Sequence, residues 1–145
     1  MPASGDLLDG LADLLVASGI ATGVYSTSGV SAQVNLRRDF GPAVTYLVLA
    51  QTGGESFPWA FKEETAFQVL VDGPTLSGAR AVARQVYDFL HERLRWEVSG
   101  TGYQQRALFI RAVAPPQTIP IGPGAGAVER FQFSTNFSAL VVRDW

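Results

Sequence analysis

The chain has 145 residues, 47% hydrophobic and 17% charged, which suits one domain with a real core and excludes a disordered chain. A formal net charge of −2 provides no bulk attraction to nucleic acid or to an anionic membrane. The lack of cysteine excludes disulfides, thiol nucleophiles and cysteine-ligated metal, and leaves the redox compartment open.

From Met1 to Leu36 there is no Lys or Arg, so a secretory leader would lack its basic start. No run approaches the roughly 18 apolar residues of a membrane-spanning helix. The expectation is a soluble protein that stays in the cytoplasm. Leu7, Leu8, Leu11, Leu14 and Leu15 recur at helical spacing, with Asp6, Asp9 and Asp13 on the other face. Ser4 suits the cap and Gly19 the end of this first helix. Residues 20–41 mix Val with Gly and Ser, and read as loop with room for a short strand. Ala43 to Ala50 is β-branched and aliphatic, a first strand punctuated by Gln51-Thr52-Gly53-Gly54. Thr65 to Val71 is a second strand, closed by Asp72-Gly73-Pro74. The connection between them holds Phe57, Trp59 and Phe61 and is long for a hairpin.

Leu76 to Val98 is predicted as the second helix. Ala79, Val82, Ala83, Val86, Phe89, Leu90 and Leu94 form its stripe, Ser77 its cap, and Arg84 and Asp88 stand one turn apart. A third strand centres on Leu108 to Val113. Residues 115–128, rich in Pro and Gly, read as a long loop. The last strand, Arg130 to Val142, alternates Phe131, Phe133 and Phe137 with Gln132, Ser134, Asn136 and Ser138. The order α, β, β, α, β, β gives one α+β domain over residues 1–145. Its sheet is mainly antiparallel, four-stranded or slightly larger, and packs against two helices.

Chemistry-bearing constellations are sparse. His91 is the only histidine and has no second ligand type beside it, so the pattern points to no catalyst and no metal. Gly122-Pro123-Gly124-Ala125-Gly126 lacks the Lys-Ser/Thr and the following helix of a phosphate loop. Ser26-Thr27-Ser28-Gly29 is not a nucleophile elbow. Glu63 and Glu64 are adjacent on a strand and point to opposite faces. The charges are uneven: Met1 to Leu36 has three acids and no base, whereas Arg80 to Arg111 has six Arg against Asp88, Glu92 and Glu97. Such polarity suits head-to-tail contacts between copies, which close into rings or run on as filaments. Scattered solvated charges account for it equally well.

Four blocks carry a resemblance: Thr52-Gly53-Gly54, Phe67-Gln68-Val69-Leu70-Val71, Ala79-x-x-Val82-Ala83-x-x-Val86-Tyr87-Asp88-x-Leu90, and Glu129-Arg130-Phe131-x-Phe133-Ser134-x-Asn136-Phe137. In this arrangement the chain resembles the minor capsid or tail terminator proteins of long-tailed bacteriophages. It departs where the family's second strand runs into an Arg, since Asp72 stands there. Asp39-Phe40-Gly41 also replaces a Leu-Pro-Asp-like turn.

The resemblance implies a structural virion protein, assembled in the host cytoplasm and residing in the neck region of the tail. Such proteins form a homo-oligomeric ring, commonly of six subunits, that ends growth of the tail tube and offers a docking face to the head's neck protein. Genomic DNA passes through the lumen without specific binding. It implies no catalysis, no cofactor, no metal and no membrane. The candidate contact residues are Phe57, Trp59 and Phe61 in the aromatic connection, Gly122, Gly124 and Gly126 in the long loop, and Arg143 and Trp145 at the end of the chain. Three rival expectations are another neck or tail-completion protein, a monomeric adaptor, and a small enzyme or ligand-binding domain whose pocket is lined by Phe57, Trp59 and Phe61 or by the Phe-rich last strand.

Overall fold

A computed structural model describes residues 6–35, 41–57, 62–100, 103–119 and 130–143. Their elements run α1 (Asp6–Ala17), β1 (Gly23–Val24), β2 (Val30–Val34), β3 (Thr45–Phe57), β4 (Lys62–Gly73), α2 (Leu76–Leu90), β5 (Arg93–Gly100), β6 (Tyr103–Ala112), β7 (Gln117–Ile119) and β8 (Phe131–Arg143). The class is α+β with two helices, as expected. The sheet is larger than the four or slightly more strands expected and is mixed, and the element order among the described residues is α-β-β-β-β-α-β-β-β-β rather than α-β-β-α-β-β. It has eight strands in the order β1-β2-β3-β4-β8-β6-β5, with β7 also on β8. β1–β2 and β2–β3 are parallel and the remaining pairs antiparallel.

Several boundaries differ from the sequence reading. The first strand does not stop at Gln51-Thr52-Gly53-Gly54. It continues to Phe57 through a register shift between Gln51 and Gly53, so β3 and β4 form one long hairpin up to Phe57↔Lys62. Gly54 makes this possible: its φ is +153°, and a Cβ there would lie 2.4 Å from the carbonyl oxygen of Glu64. The second helix stops at Leu90 rather than Val98. His91 is extended and Glu92 has φ +60°, so the chain reverses into β5. Leu94, Trp96 and Val98 fit a period of two, and helical spacing had captured only the first of them. The N-cap is Thr75, not Ser77; its hydroxyl accepts from the Gly78 N–H at 3.1 Å. Inside the expected loops lie β1 and β2, and also β7, which continues along the flank of β8 that β6 occupies higher up.

The core occupies one face of the sheet. Leu7, Leu8, Leu11 and Leu15 of α1 and Ala79, Ala83, Val86 and Leu90 of α2 pack onto Leu47, Leu49, Phe67, Val69, Phe133, Phe137, Ala139 and Val141. Phe67 and Phe137 stack with centroids 5.3 Å apart. Each buried Phe stabilises by about 2–3 kcal/mol. α1 lies against β1, β2 and β3 and also against β5, from the opposite end of the strand order. The sheet therefore curls until both ends reach one helix, as accumulated strand twist favours. α1 is closed by the turn at Gly19, whose φ is +83° and after which the Ile20 N–H returns to the Leu15 carbonyl at 3.1 Å.

Candidate interaction surface

Register decides which candidate contact residues meet. Phe57 pairs Lys62, Lys62 pairs Val142, Val142 pairs Arg106 and Arg106 pairs Glu97. This row crosses five strands at one end of the sheet and brings Phe57 beside the end of β8, where Arg143 pairs Gln105. Trp59, Phe61 and Trp145 lie outside the described residues. So do Gly122, Gly124 and Gly126, whose segment joins β7 to Arg130. That junction is at the other end of β8, where Phe131 pairs Gly73. A strand from Phe131 to Arg143 spans about 40 Å. The aromatic group and the glycine group therefore attach at opposite ends of one strand.

At the Phe131 end is a polar cluster on the face away from the helices. Asp72 stands opposite Tyr46 on one side and Gln132 on the other. Its carboxylate accepts from Arg130 Nε at 2.5 Å and from Gln132 Nε2 at 2.8 Å. Arg130 also donates to the carbonyls of Pro42 (2.9 Å), Val44 (2.7 Å) and Asp72 (3.1 Å). Its guanidinium lies 5.0 Å from the Tyr46 ring centroid. Tyr46 in turn donates its O–H to the Gly41 carbonyl and accepts the Gly41 N–H, both at 3.0 Å. The Asp72 side chain is 1% exposed and that of Arg130 15%. With its partners all internal, the cluster serves as a clasp on the entry to β8. Sequence reasoning missed it, reading Asp72 as turn and Arg130 as strand end. The legible signal was the alternation Gln68, Leu70, Asp72, which puts all three on one face.

The rest of that face carries no helix among the described residues. Val48, Ala66, Gln68, Leu70, Ser134, Ser138 and Leu140 are half-buried there. Gln68 Nε2 donates to Ser134 Oγ at 2.7 Å, and Ser138 Oγ donates to the exposed Glu64 at 2.9 Å. On β2 the Ser31 hydroxyl is fully buried and has no hydrogen-bond partner among the described residues.

His91 does structural work. Its Nδ1 accepts the Ala112 N–H at 3.0 Å and its ring stacks on Tyr87, tying the end of α2 to the end of β6. Among the described residues no three His, Cys, Asp or Glu are grouped to hold a metal. The outward faces of the helices differ in charge. Asp9 and Asp13 are exposed on α1, and Arg80 and Arg84 on α2. Arg84 lies 3.5 Å from Asp88, both side chains 62% exposed, and 5.1 Å from the Tyr87 ring. Compared with known proteins, the chain matches no protein-family model and no curated protein.

Proposed function

We propose that this chain is a structural virion assembly protein of the tail-terminator type. In this reading it forms a ring, commonly of six subunits, at the head-proximal end of a phage tail tube, ends tube growth and presents a docking face to the neck protein. The observation that carries the reading is that the four blocks of the resemblance are neighbours in one unit. Gly53 and Gly54 pair Ala66 and Thr65, the Phe67–Val71 block pairs Phe133–Phe137, and Ala79, Ala83, Val86 and Leu90 pack over that pair. The role is mechanical and involves no catalytic step. DNA passes through the lumen without specific binding, for which a net charge of −2 is suitable. No helix of the described residues is long and apolar enough to cross a membrane.

The two ends of β8 supply two contact sets. The Phe57, Trp59, Phe61, Arg143 and Trp145 set serves one partner, and the Gly122, Gly124 and Gly126 set another, among tube, neck protein and neighbouring subunit. The deciding measurement is solution mass by light scattering over a concentration series, followed by microscopy with purified tubes. A discrete mass near six subunits, or tubes with capped ends, supports the reading. A monomer that never caps tubes sinks it. Deleting Gly122–Gly126 or Arg143–Trp145 is expected to leave circular dichroism unchanged and to reduce ring mass or capping.

A further inference from the structure

The geometry points to the exposed acidic face of α1 as the docking site for the exposed basic face of α2 on a second copy of this chain. The inference rests on the ring-forming reading and names the surfaces that would build the ring.

α1 carries acids and no base. Its exposed Asp9 and Asp13 are four residues apart, one above the other on the helix surface. Exposed Arg80 and Arg84 on α2 have the same spacing, with the small exposed Ala81 beside them. Two carboxylates therefore match two guanidiniums rung for rung. The helices cover different strands, α1 lying over β1–β3 and β5 and α2 over β4, β8 and β6. The two surfaces are thus distinct patches of one subunit, as a head-to-tail contact requires.

The shared four-residue spacing allows the pairing in either direction: parallel helices bring Asp9 to Arg80 and Asp13 to Arg84, and antiparallel helices bring Asp9 to Arg84 and Asp13 to Arg80. Within its own subunit Arg84 meets exposed Asp88 and the Tyr87 ring, contacts that a neighbour's carboxylate can join or displace. Exposed ion pairs are individually weak. The matched pairs thus set which faces meet and how fast, and make assembly salt-sensitive.

Charge reversal tests this. D9K/D13K and R80E/R84E are made in the full chain, checked for folding by circular dichroism, and weighed by light scattering at about 0.1 M salt, where the screening length is about 10 Å. If wild type assembles only on tubes, the readout is capped tube ends. Each variant alone is expected to lose the ring and fall to monomer. An equimolar mixture is expected to recover it, because alternating subunits restore an attractive contact at every interface. Ring mass retained by either variant alone overturns the inference and leaves the ring reading intact. Loss in each variant without recovery on mixing overturns the pairing. If R80E/R84E keeps wild-type mass but no longer retains duplex DNA, the α2 face serves nucleic acid and the inference falls. A wild-type chain that neither assembles nor caps tubes overturns the inference together with the reading beneath it.

Discussion

Strand β8 has two faces that are held in different ways. Toward the helices, Phe133, Phe137, Ala139 and Val141 are buried in an apolar core. On the other face, Gln132, Ser134 and Ser138 make side-chain hydrogen bonds to Asp72, Gln68 and Glu64 of β4. The covered face gains from area removed from water, which depends little on direction. The bare face gains from directed bonds, each with a small net value except where burial leaves a charge dependent on one partner. The lesson is that strength lies in the covered face and at one spot of the other, the Arg130–Asp72 clasp.

The comparison can be broken from either side. Phe137→Ala removes the stacking partner of Phe67 from a site 1% exposed and is expected to cost about 3–5 kcal/mol in urea denaturation. Arg130→Ala leaves the Asp72 carboxylate buried and short of its main donor, for an expected loss of about 3 kcal/mol by the same measurement. A much smaller loss would mean that water replaces the guanidinium and that the bare face has no strong point. Thr75→Ala weakens the start of α2, part of the cover itself, and should cost about 1 kcal/mol as a lowered thermal midpoint. Ser138→Ala removes a bond to exposed Glu64 and is expected to stay within about 0.5 kcal/mol of wild type. A clear loss there would give the bare face more weight than its bonds suggest.

How much of this was legible depended on how far a residue's partners lie along the chain. The leucines of α1 and the stripe of α2 up to Leu90 were readable, because a helix repeats its burial every turn. The three Phe of β8 were readable by alternation; Phe133 and Phe137 are buried and Phe131 packs at the core's edge. β2 was legible only as room for a short strand, because Ser31 and Gln33, though polar, are fully buried. β5 was hidden because Leu94 satisfies both periods, and the break rests on the backbone at His91 and Glu92. The continuation of β3 past Gly53 and Gly54 was hidden because a bulge uses the same glycines as a turn. The clasp joins residues 58 apart, a pairing that no local pattern announces. Of the candidate contact residues, Phe57 and Arg143 fall on described backbone; the others lie outside the described residues. Their role remains part of the proposal.

The central place of β8 also has a consequence for the order of events during synthesis. It pairs with β4 on one flank and with β6 and β7 on the other, yet it is translated after all three. At about 5–20 residues per second, roughly 3–12 seconds separate the last residue of β4 from the first of β8. Through that interval β4 exposes an unpaired edge beside Phe67 and Val69, the kind of edge that recruits other chains. Until β8 arrives, the nascent protein depends on chaperones and low concentration more than on its own contacts.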